Sequence, residues 1–251
     1  MKSLKILKKT MEESEYKSMY EQESKHWWFK GRKRIFLSLI KKRYKKGIKI
    51  LDFGCGTGIN IKALEKFGNV KGIDVSKESK RFCKKRGINV KLLDISKKSK
   101  KLGKYRNKFD LITSFDVLEH IDNDSIALKN LNDFLKDDGR LLITVPAFNF
   151  LWSNHDVVLH HKRRYAKKAL KKLLEKSGFK IELLSYYNFF IFPAILIRKI
   201  INPKASSTEI SNTKFNWLFD IIYSLEIIMI NLGLIPWGSS IICMAKKQLD
   251  E

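Results

Sequence analysis

The sequence contains few cysteines and no apolar export signal. Its three cysteines, Cys55, Cys83 and Cys243, are odd in number, lie far apart and have neither metal-ligand spacing nor a close histidine partner. This pattern argues against a disulfide framework, predicts a reducing compartment and predicts no metal site. The N-terminal stretch MKSLKILKKT is charged but has no hydrophobic core, so we expect no export and a cytoplasmic location.

Acidic residues are also scarce. The chain has 26 Asp and Glu against 51 Lys and Arg, giving a formal net charge of +25. A charge of this size is compatible with a nucleic-acid or anionic-surface partner. Because Lys far outnumbers Arg and is scattered along nearly every helix, solvated helix faces are the preferred explanation. Nucleic acid remains the less favoured partner.

The pattern of elements along the 251 residues predicts one α/β domain with appendages. A helical segment covers residues 12–46, and strand-like and helix-like segments alternate from residue 48 onward, which indicates a doubly wound parallel sheet. The helix after the second strand starts at a cap, Ser76, and stops at Gly87; the third strand covers 89–95, and Leu135 lies on the apolar face of the helix after the fourth strand. Two late strands are expected at 179–187 and 239–247, and between them a helix carries a polar stripe of Asp220, Ser224 and Asn231. The predicted organisation is an N-terminal helical cap (1–46), a core (47–187), an apolar helical insert (188–238) and a last strand with its tail (239–251).

The stretch ILDFGCGTGIN, residues 50–60, places Gly54, Gly56 and Gly58 directly after the first predicted strand. Glycines there let a ligand approach the backbone closely and permit positive φ angles. The spacing is not that of a dinucleotide site, because Ile59 stands where the last glycine is required, and no Lys-Ser/Thr pair follows to make a P-loop. We therefore expect a ligand other than a pyrophosphate.

Three aspartates indicate what that ligand is. Asp74 lies 20 residues after Gly54 at the end of the second strand, where a carboxylate accepts hydrogen bonds from both ribose hydroxyls. Asp94, at the end of the third strand, can meet the exocyclic amine of an adenine, and Asp52 can face a cationic or amino group. An adenosine that carries an amino acid and a sulfonium satisfies all three.

Five stretches in order, ILDFGCGTG, VKGIDVS, LLDI, FDLITSFDVLEHI and LKDDGRLLITVP, resemble the successive motifs of class I S-adenosylmethionine-dependent methyltransferases over about residues 48 to 146. The resemblance implies a seven-stranded Rossmann-like sheet of order 3-2-1-4-5-7-6 with strand 7 antiparallel. It implies S-adenosyl-L-methionine as cofactor and S-adenosyl-L-homocysteine as product. The cofactor-binding residues it implies are Asp52, Gly54, Gly56 and Gly58 at the methionyl part, Asp74 at the ribose, Asp94 with Ile95 at the adenine, and Phe115 with Asp116 at the pocket floor. Cys55 and Val75 complete the predicted cofactor-binding set.

Two flanking stretches, HWWFKGRKRIFLSLI and LWSNHDVVLHHKRRY, are similar to a microbial subgroup with an aromatic N-terminal cap and an H-D-x4-H-x-R-R-Y loop. His161 matches the second histidine of that loop, whereas His160 stands where a glycine is usual. His155, His161 and His120 are the candidates for acceptor contact or proton removal. Ordinary capping or core hydrogen bonding explains these histidines about equally well.

Side chains of the N-terminal cap have two alternative roles. Trp27 and Trp28 can close the cofactor pocket or simply pack the N-terminal helix against the sheet. Arg32 can reach the cofactor carboxylate or lie on a solvated helix face.

The insert is too apolar for ordinary surface helices, yet its apolar runs are too short or too charged to span a bilayer. A lid or core role is preferred, a lipidic acceptor or peripheral contact with the inner face of the membrane comes second, and homodimerisation third.

The predicted function is methylation of a small-molecule, saccharide or lipid-linked acceptor. The alternatives are an RNA methyltransferase, against which the absence of an N/D-P-P-Y motif counts, and a non-catalytic binding protein of the same fold.

Overall fold

The computed structural model describes residues 11–97, 99–201 and 216–248, which form a seven-stranded sheet flanked by helices. The strands are β1 (Ile48–Phe53), β2 (Gly68–Asp74), β3 (Val90–Leu92), β4 (Phe109–Phe115), β5 (Leu135–Pro146), β6 (Phe179–Tyr187) and β7 (Ser240–Lys247). Their order is β3-β2-β1-β4-β5-β7-β6, and β7 is antiparallel to both β5 and β6 while the other pairs are parallel. The predicted α/β fold, strand order and antiparallel last strand are confirmed.

Helices cover both faces of this sheet. Those in the described residues are α1 (Glu13–Gln22), α2 (Trp27–Arg43), α3 (Ile59–Leu64), α4 (Lys77–Lys85), α5 (Asp124–Phe134), α6 (Asn154–Val158), α7 (Lys167–Glu175), α8 (Phe192–Ile201) and α9 (Asn216–Leu232). Buried side chains of α2 and α9 cover one face, and those of α5 and α7 cover the other. With both faces covered, the central strands are almost wholly apolar, as parallel strands require.

Local sequence signals set several boundaries. The Ser76 side chain accepts hydrogen bonds from the backbone N–H groups of Glu78 and Ser79, so it caps α4 as predicted. Beyond the end of that helix, Gly87 takes a φ of 72°, the left-handed conformation that favours glycine.

Two boundaries differ from the sequence prediction. Leu135, predicted on the face of α5, is instead the first residue of β5, because it pairs with Phe109 before a shift in register. β3 is only three residues long, because the Asp94 side chain accepts a hydrogen bond from the Ser96 N–H at 2.8 Å and turns the chain.

The insert contributes α8 and α9. The predicted polar stripe of α9 faces α2, where Arg34 donates to Asp220 and Ser224, each at 2.8 Å. The two helices approach closely at Gly31, since a Cβ there would lie 2.0 Å from the Tyr223 ring. Nowhere in the described ranges is a helix both long and apolar enough to cross a bilayer.

Candidate functional site

A cavity of about 1060 Å³ lies at the carboxyl ends of β1, β2, β4 and β5. Side chains of α1, α2 and α8 and of the segment after β5 complete its walls. Small-molecule pockets range from about 300 to 1,000 Å³, so this one has room for a cofactor and a second ligand. Every predicted site residue except Asp52 and Gly58 lines it.

The glycine loop between β1 and α3 exposes bare backbone to the cavity. Gly54, Gly56 and Gly58 have φ angles of 69°, 53° and 85°, so each needs the left-handed conformation. A Cβ on Gly56 would enter the cavity, with only the Met19 Cε within 4 Å, at 3.5 Å. A Cβ on Gly58 would instead lie 2.8 Å from Ile88 Cδ1, so Gly58 serves the packing behind the loop.

Asp74, at the end of β2, is held in a fixed orientation beside this loop. It is 6% exposed, and its two carboxylate oxygens accept from the N–H of Gly56 at 3.0 Å and of Ser76 at 2.9 Å. Burial raises the pKa of Asp74. The backbone bonds leave lone pairs on both oxygens for a ligand at the cavity surface.

Apolar side chains adjoin Asp74 along the cavity wall. Val75 and Leu92 are 42% and 40% exposed although both are large and hydrophobic. Asp94 and Ile95 lie beside them on the same wall. This wall offers a flat aromatic ligand two apolar faces and one carboxylate.

Asp52 lies behind the loop instead of on the cavity surface. Its Oδ1 accepts from the Thr113 hydroxyl at 2.6 Å, whereas its Oδ2 is buried and has no hydrogen-bond partner within the described ranges. Burial raises the pKa of Asp52 to about 7, and the nearby charge of Asp74 adds to the effect. A cation on the cavity side of the loop would favour the ionised form of this carboxyl group.

The N-terminal cap closes one side of the cavity. The buried Glu23 carboxylate accepts hydrogen bonds from the Thr57 hydroxyl and from Arg86, which ties the end of α1 to the glycine loop. Sequence reasoning missed this contact, because Glu23 lies 34 and 63 residues from its partners and no local motif marks it.

Trp27 and Trp28, at the start of α2, each take a different one of the two predicted roles. Trp27 stacks on Phe219 of α9 with ring centroids 3.8 Å apart, so it joins the two helices. Trp28 lines the cavity, and the Arg32 guanidinium lies 4.2 Å above its ring. Arg32 itself forms an ion pair with Asp116 on the cavity wall.

The segment after β5 is organised around a fully buried carboxylate, Asp156. Its oxygens accept from His161 Nδ1 at 2.8 Å and from two nitrogens of Arg164 at 2.9 Å each. Burial opposes its charge, but His161 and Arg164 hold the pKa of Asp156 well below its usual range. Arg164 therefore supports the loop, and Arg163 pairs with Asp124 at 2.9 Å.

The three candidate histidines converge on one part of the cavity. The rings of His120 and His155 lie 4.7 Å and 6.3 Å from that of His161. Burial, with the neighbouring His161 adding to its effect, lowers the pKa of His120 and of His155 to about 4. Both rings are therefore uncharged at neutral pH. His160 takes a φ of 56°, the conformation for which a glycine is usual.

Glu119, next to His120, is a site residue that the predicted set omits. It is fully buried, its two carboxylate oxygens have no hydrogen-bond partner among the residues that the structure describes, and burial raises its pKa well above the usual value. Ligand atoms of Glu119, His120 and His161 all lie within 4.8 Å of one another.

Comparison with known proteins identifies relatives of this site and fold. The sequence model of the methyltransferase-domain family matches residues 20–184. The ubiquinone biosynthesis O-methyltransferase of Coxiella burnetii is 31% identical over 110 residues, which are 42% of this chain and 46% of that protein. The chain spans about half the length of the curated relatives it matches.

Solved structures share the fold at low sequence identity. A chain of the complex between the Haloferax volcanii Trm112 methyltransferase activator and a methyltransferase superposes with a TM-score of 0.61 at 13% identity, with 95% of both chains covered. Haemonchus contortus phosphoethanolamine N-methyltransferase 2, solved with S-adenosylhomocysteine, gives a TM-score of 0.57 at 18% identity over 86% of this chain and 52% of that one.

Proposed function

Because the chain belongs to the methyltransferase-domain family, we propose that it transfers a methyl group from S-adenosylmethionine to a small-molecule, saccharide or lipid-linked acceptor. The observation that carries this proposal is the bare glycine turn beside the buried, oriented Asp74 in a cavity large enough for two ligands. The bound cofactor supplies an electrophilic methyl group on a positively charged sulfur.

The cavity residues fit this cofactor chemically. Gly54 and Gly56 would lie against its methionyl part, and Asp74 would accept hydrogen bonds from the ribose hydroxyls. Val75 and Leu92 would contact the adenine. The unpartnered oxygen of Asp52 would stabilise positive charge across the loop. Gly58 supports the turn from behind.

The histidine cluster would form the acceptor side of the cavity. In-line placement of acceptor atom, methyl carbon and sulfur supplies much of the rate of methyl transfer, so positioning is the main task of these side chains. His120 and His155, uncharged at neutral pH, can accept a hydrogen bond from an acceptor hydroxyl or amine. Similarity to an O-methyltransferase of ubiquinone biosynthesis favours a hydroxyl acceptor.

An exposed apolar stripe on α9 favours a lipid-linked acceptor over a polar metabolite. Trp217, Ile221, Leu225, Ile228 and Leu232 recur every three or four residues, and all are at least 48% exposed. Exposed apolar surface of this extent marks an interaction site. α8 contributes Arg198 and Lys199 to the cavity wall, and basic side chains at the cavity suit an acceptor with an anionic lipid headgroup.

Transfer of a labelled methyl group to fractionated cell extract tests the function. We expect label in the lipid or aqueous small-molecule fraction with the natural chain and much less with Asp74→Ala at a limiting concentration of S-adenosylmethionine. Label in RNA alone would favour the RNA methyltransferase alternative. No label in any fraction, together with no heat on titration with S-adenosylhomocysteine, would favour a non-catalytic binding protein.

A further inference from the structure

The carboxyl group of Glu119 has no hydrogen-bond partner in the described part of the chain to explain its burial. Glu119 is 0% exposed, and neither of its oxygens accepts a hydrogen bond from a described residue. The guanidinium groups nearby are already engaged, Arg32 with Asp116 and Arg164 with Asp156. A buried carboxylate without a partner is costly, and such groups in native proteins call for a ligand or an ion.

His120 and His161 lie close enough to Glu119 for one metal ion to bind all three side chains. One ligand atom each from Glu119, His120 and His161 lies within 4.8 Å of the others. Ligands about 2.1 Å from a metal lie roughly 3 to 4 Å apart, so small side-chain rotations bring the three into coordination range. The backbone N–H of Lys162 donates to the Glu119 carbonyl at 2.8 Å, which fixes the two segments that carry these residues against each other.

His161 is oriented as a metal-binding histidine. Its Nδ1 contacts Asp156 at 2.8 Å, and two 2.9 Å bonds from Arg164 hold that carboxylate in place. This arrangement directs Nε2 of His161 away from Asp156 as the free ligand atom. Metal-ligating histidines almost always donate their other ring N–H to a supporting acceptor, and a carboxylate is one of the usual acceptors.

We propose that Glu119, His120 and His161 bind one divalent transition-metal ion at the wall of the main cavity. Two imidazoles and one carboxylate suit Zn²⁺, Co²⁺, Mn²⁺ or Fe²⁺ better than Mg²⁺ or Ca²⁺, which prefer all-oxygen ligand sets. The sequence predicts no metal site, because its cysteines lack metal-ligand spacing. Glu119 and His120 precede His161 by 42 and 41 residues in the sequence, and only the fold brings the three side chains together.

All three ligands also line the cavity, so the ion would keep an open position for an acceptor oxygen. This consequence rests on the proposed methyltransferase function. An acceptor hydroxyl on the ion would lose its proton to solvent more readily than in water. Its oxygen lone pair would form the bond to the methyl carbon, while the carbon–sulfur bond breaks and leaves its electron pair on the now neutral sulfur.

Titration of the chelator-treated full chain with Co²⁺ and with Zn²⁺ tests the site without methyl donor or acceptor. We expect one Co²⁺ per chain with a visible absorption band, displaced by Zn²⁺. Glu119→Gln and His161→Ala should each weaken binding at least tenfold. The matched control is His160→Asn, which alters the adjacent histidine outside the cluster and retains a residue that tolerates its positive φ.

The outcomes separate this proposal from the methyltransferase function. Stoichiometric binding lost in Glu119→Gln and His161→Ala but kept in His160→Asn supports the metal site, whatever the cofactor titration gives. Absence of stoichiometric binding by the natural chain overturns it, and so does equal affinity in all folded variants. Circular dichroism establishes folding, and Glu119→Gln preserves side-chain volume should His161→Ala fail to fold.

Discussion

Replacing Asp74 with alanine should weaken S-adenosylhomocysteine binding by about 1–3 kcal/mol, or roughly 5- to 150-fold. The ribose would lose hydrogen bonds to a charged acceptor, for which the net contribution after competition with water is about 1.5–3 kcal/mol. The loss is not larger because water can fill the space and hydrate the hydroxyls. Isothermal titration calorimetry measures the affinity of both proteins.

The substitution also breaks two hydrogen bonds within the protein, because the Asp74 carboxylate accepts from the backbone N–H groups of Gly56 and Ser76. Asp110→Ala is therefore the matched control. Asp110 likewise accepts a backbone N–H, from Lys49 at 2.7 Å, and lies at the opposite, amino end of the sheet. This variant should lose stability and retain affinity.

A ligand analogue separates the ribose contact from general damage to the loop. Analogues without the 2′ or the 3′ hydroxyl should bind the natural protein less tightly than the parent compound. They should bind Asp74→Ala about as tightly as the parent does, because the contact is already gone. Equal affinity of the natural protein and Asp74→Ala, or the same penalty for the analogues in both, would refute the assignment.

Three further predictions follow from the loop and the buried carboxylates. Gly56→Ala should abolish most S-adenosylhomocysteine binding in calorimetry, whereas Gly87→Ala, equally strained but with no atom within 4 Å of its Cβ, should only lose stability. Because the pKa of Asp52 is about 7 and a cationic ligand favours the carboxylate, binding of S-adenosylmethionine should release a proton near pH 6. Affinity should then rise by up to about tenfold per pH unit toward pH 7 and become level above it; the same rise in Asp52→Asn would contradict this. Asp156→Asn should cost about 3–5 kcal/mol in urea unfolding, against under about 1 kcal/mol for Arg106→Gln, which breaks the exposed ion pair with Asp133; similar costs would refute the role of Asp156 as the buried anchor.

The core of the fold was predictable because its signals are local. The apolar strands, the Ser76 cap and the glycine turn after β1 each depend on residues close together in the sequence. The strand order was predicted from the resemblance of the five ordered motifs to a known family. The first residue of β5 was not predictable from the sequence. Leu135 has the spacing of a helical residue, but its pairing with Phe109 of the neighbouring strand places it in β5.

The site divides in the same way. Asp74 and the residues around Gly56 follow strand ends, and parallel strands bring their carboxyl ends together, so sequence alone predicts their proximity. The contact of Glu23 with the glycine loop and the unpartnered burial of Glu119 depend on tertiary packing. No local motif marks Glu23. The position of Glu119 after β4 predicts that it lies on the ligand side of the sheet, but it does not predict that the carboxyl group is buried without a hydrogen-bond partner.

A crystal structure of the chain grown with S-adenosylhomocysteine tests the account most directly. We predict the ligand over the loop of Gly54 and Gly56, its ribose hydroxyls within hydrogen-bond distance of Asp74, and its adenine between Val75 and Leu92. Electron density for the compound elsewhere on the protein, or a cavity filled by the protein's own side chains at saturating ligand, would contradict it.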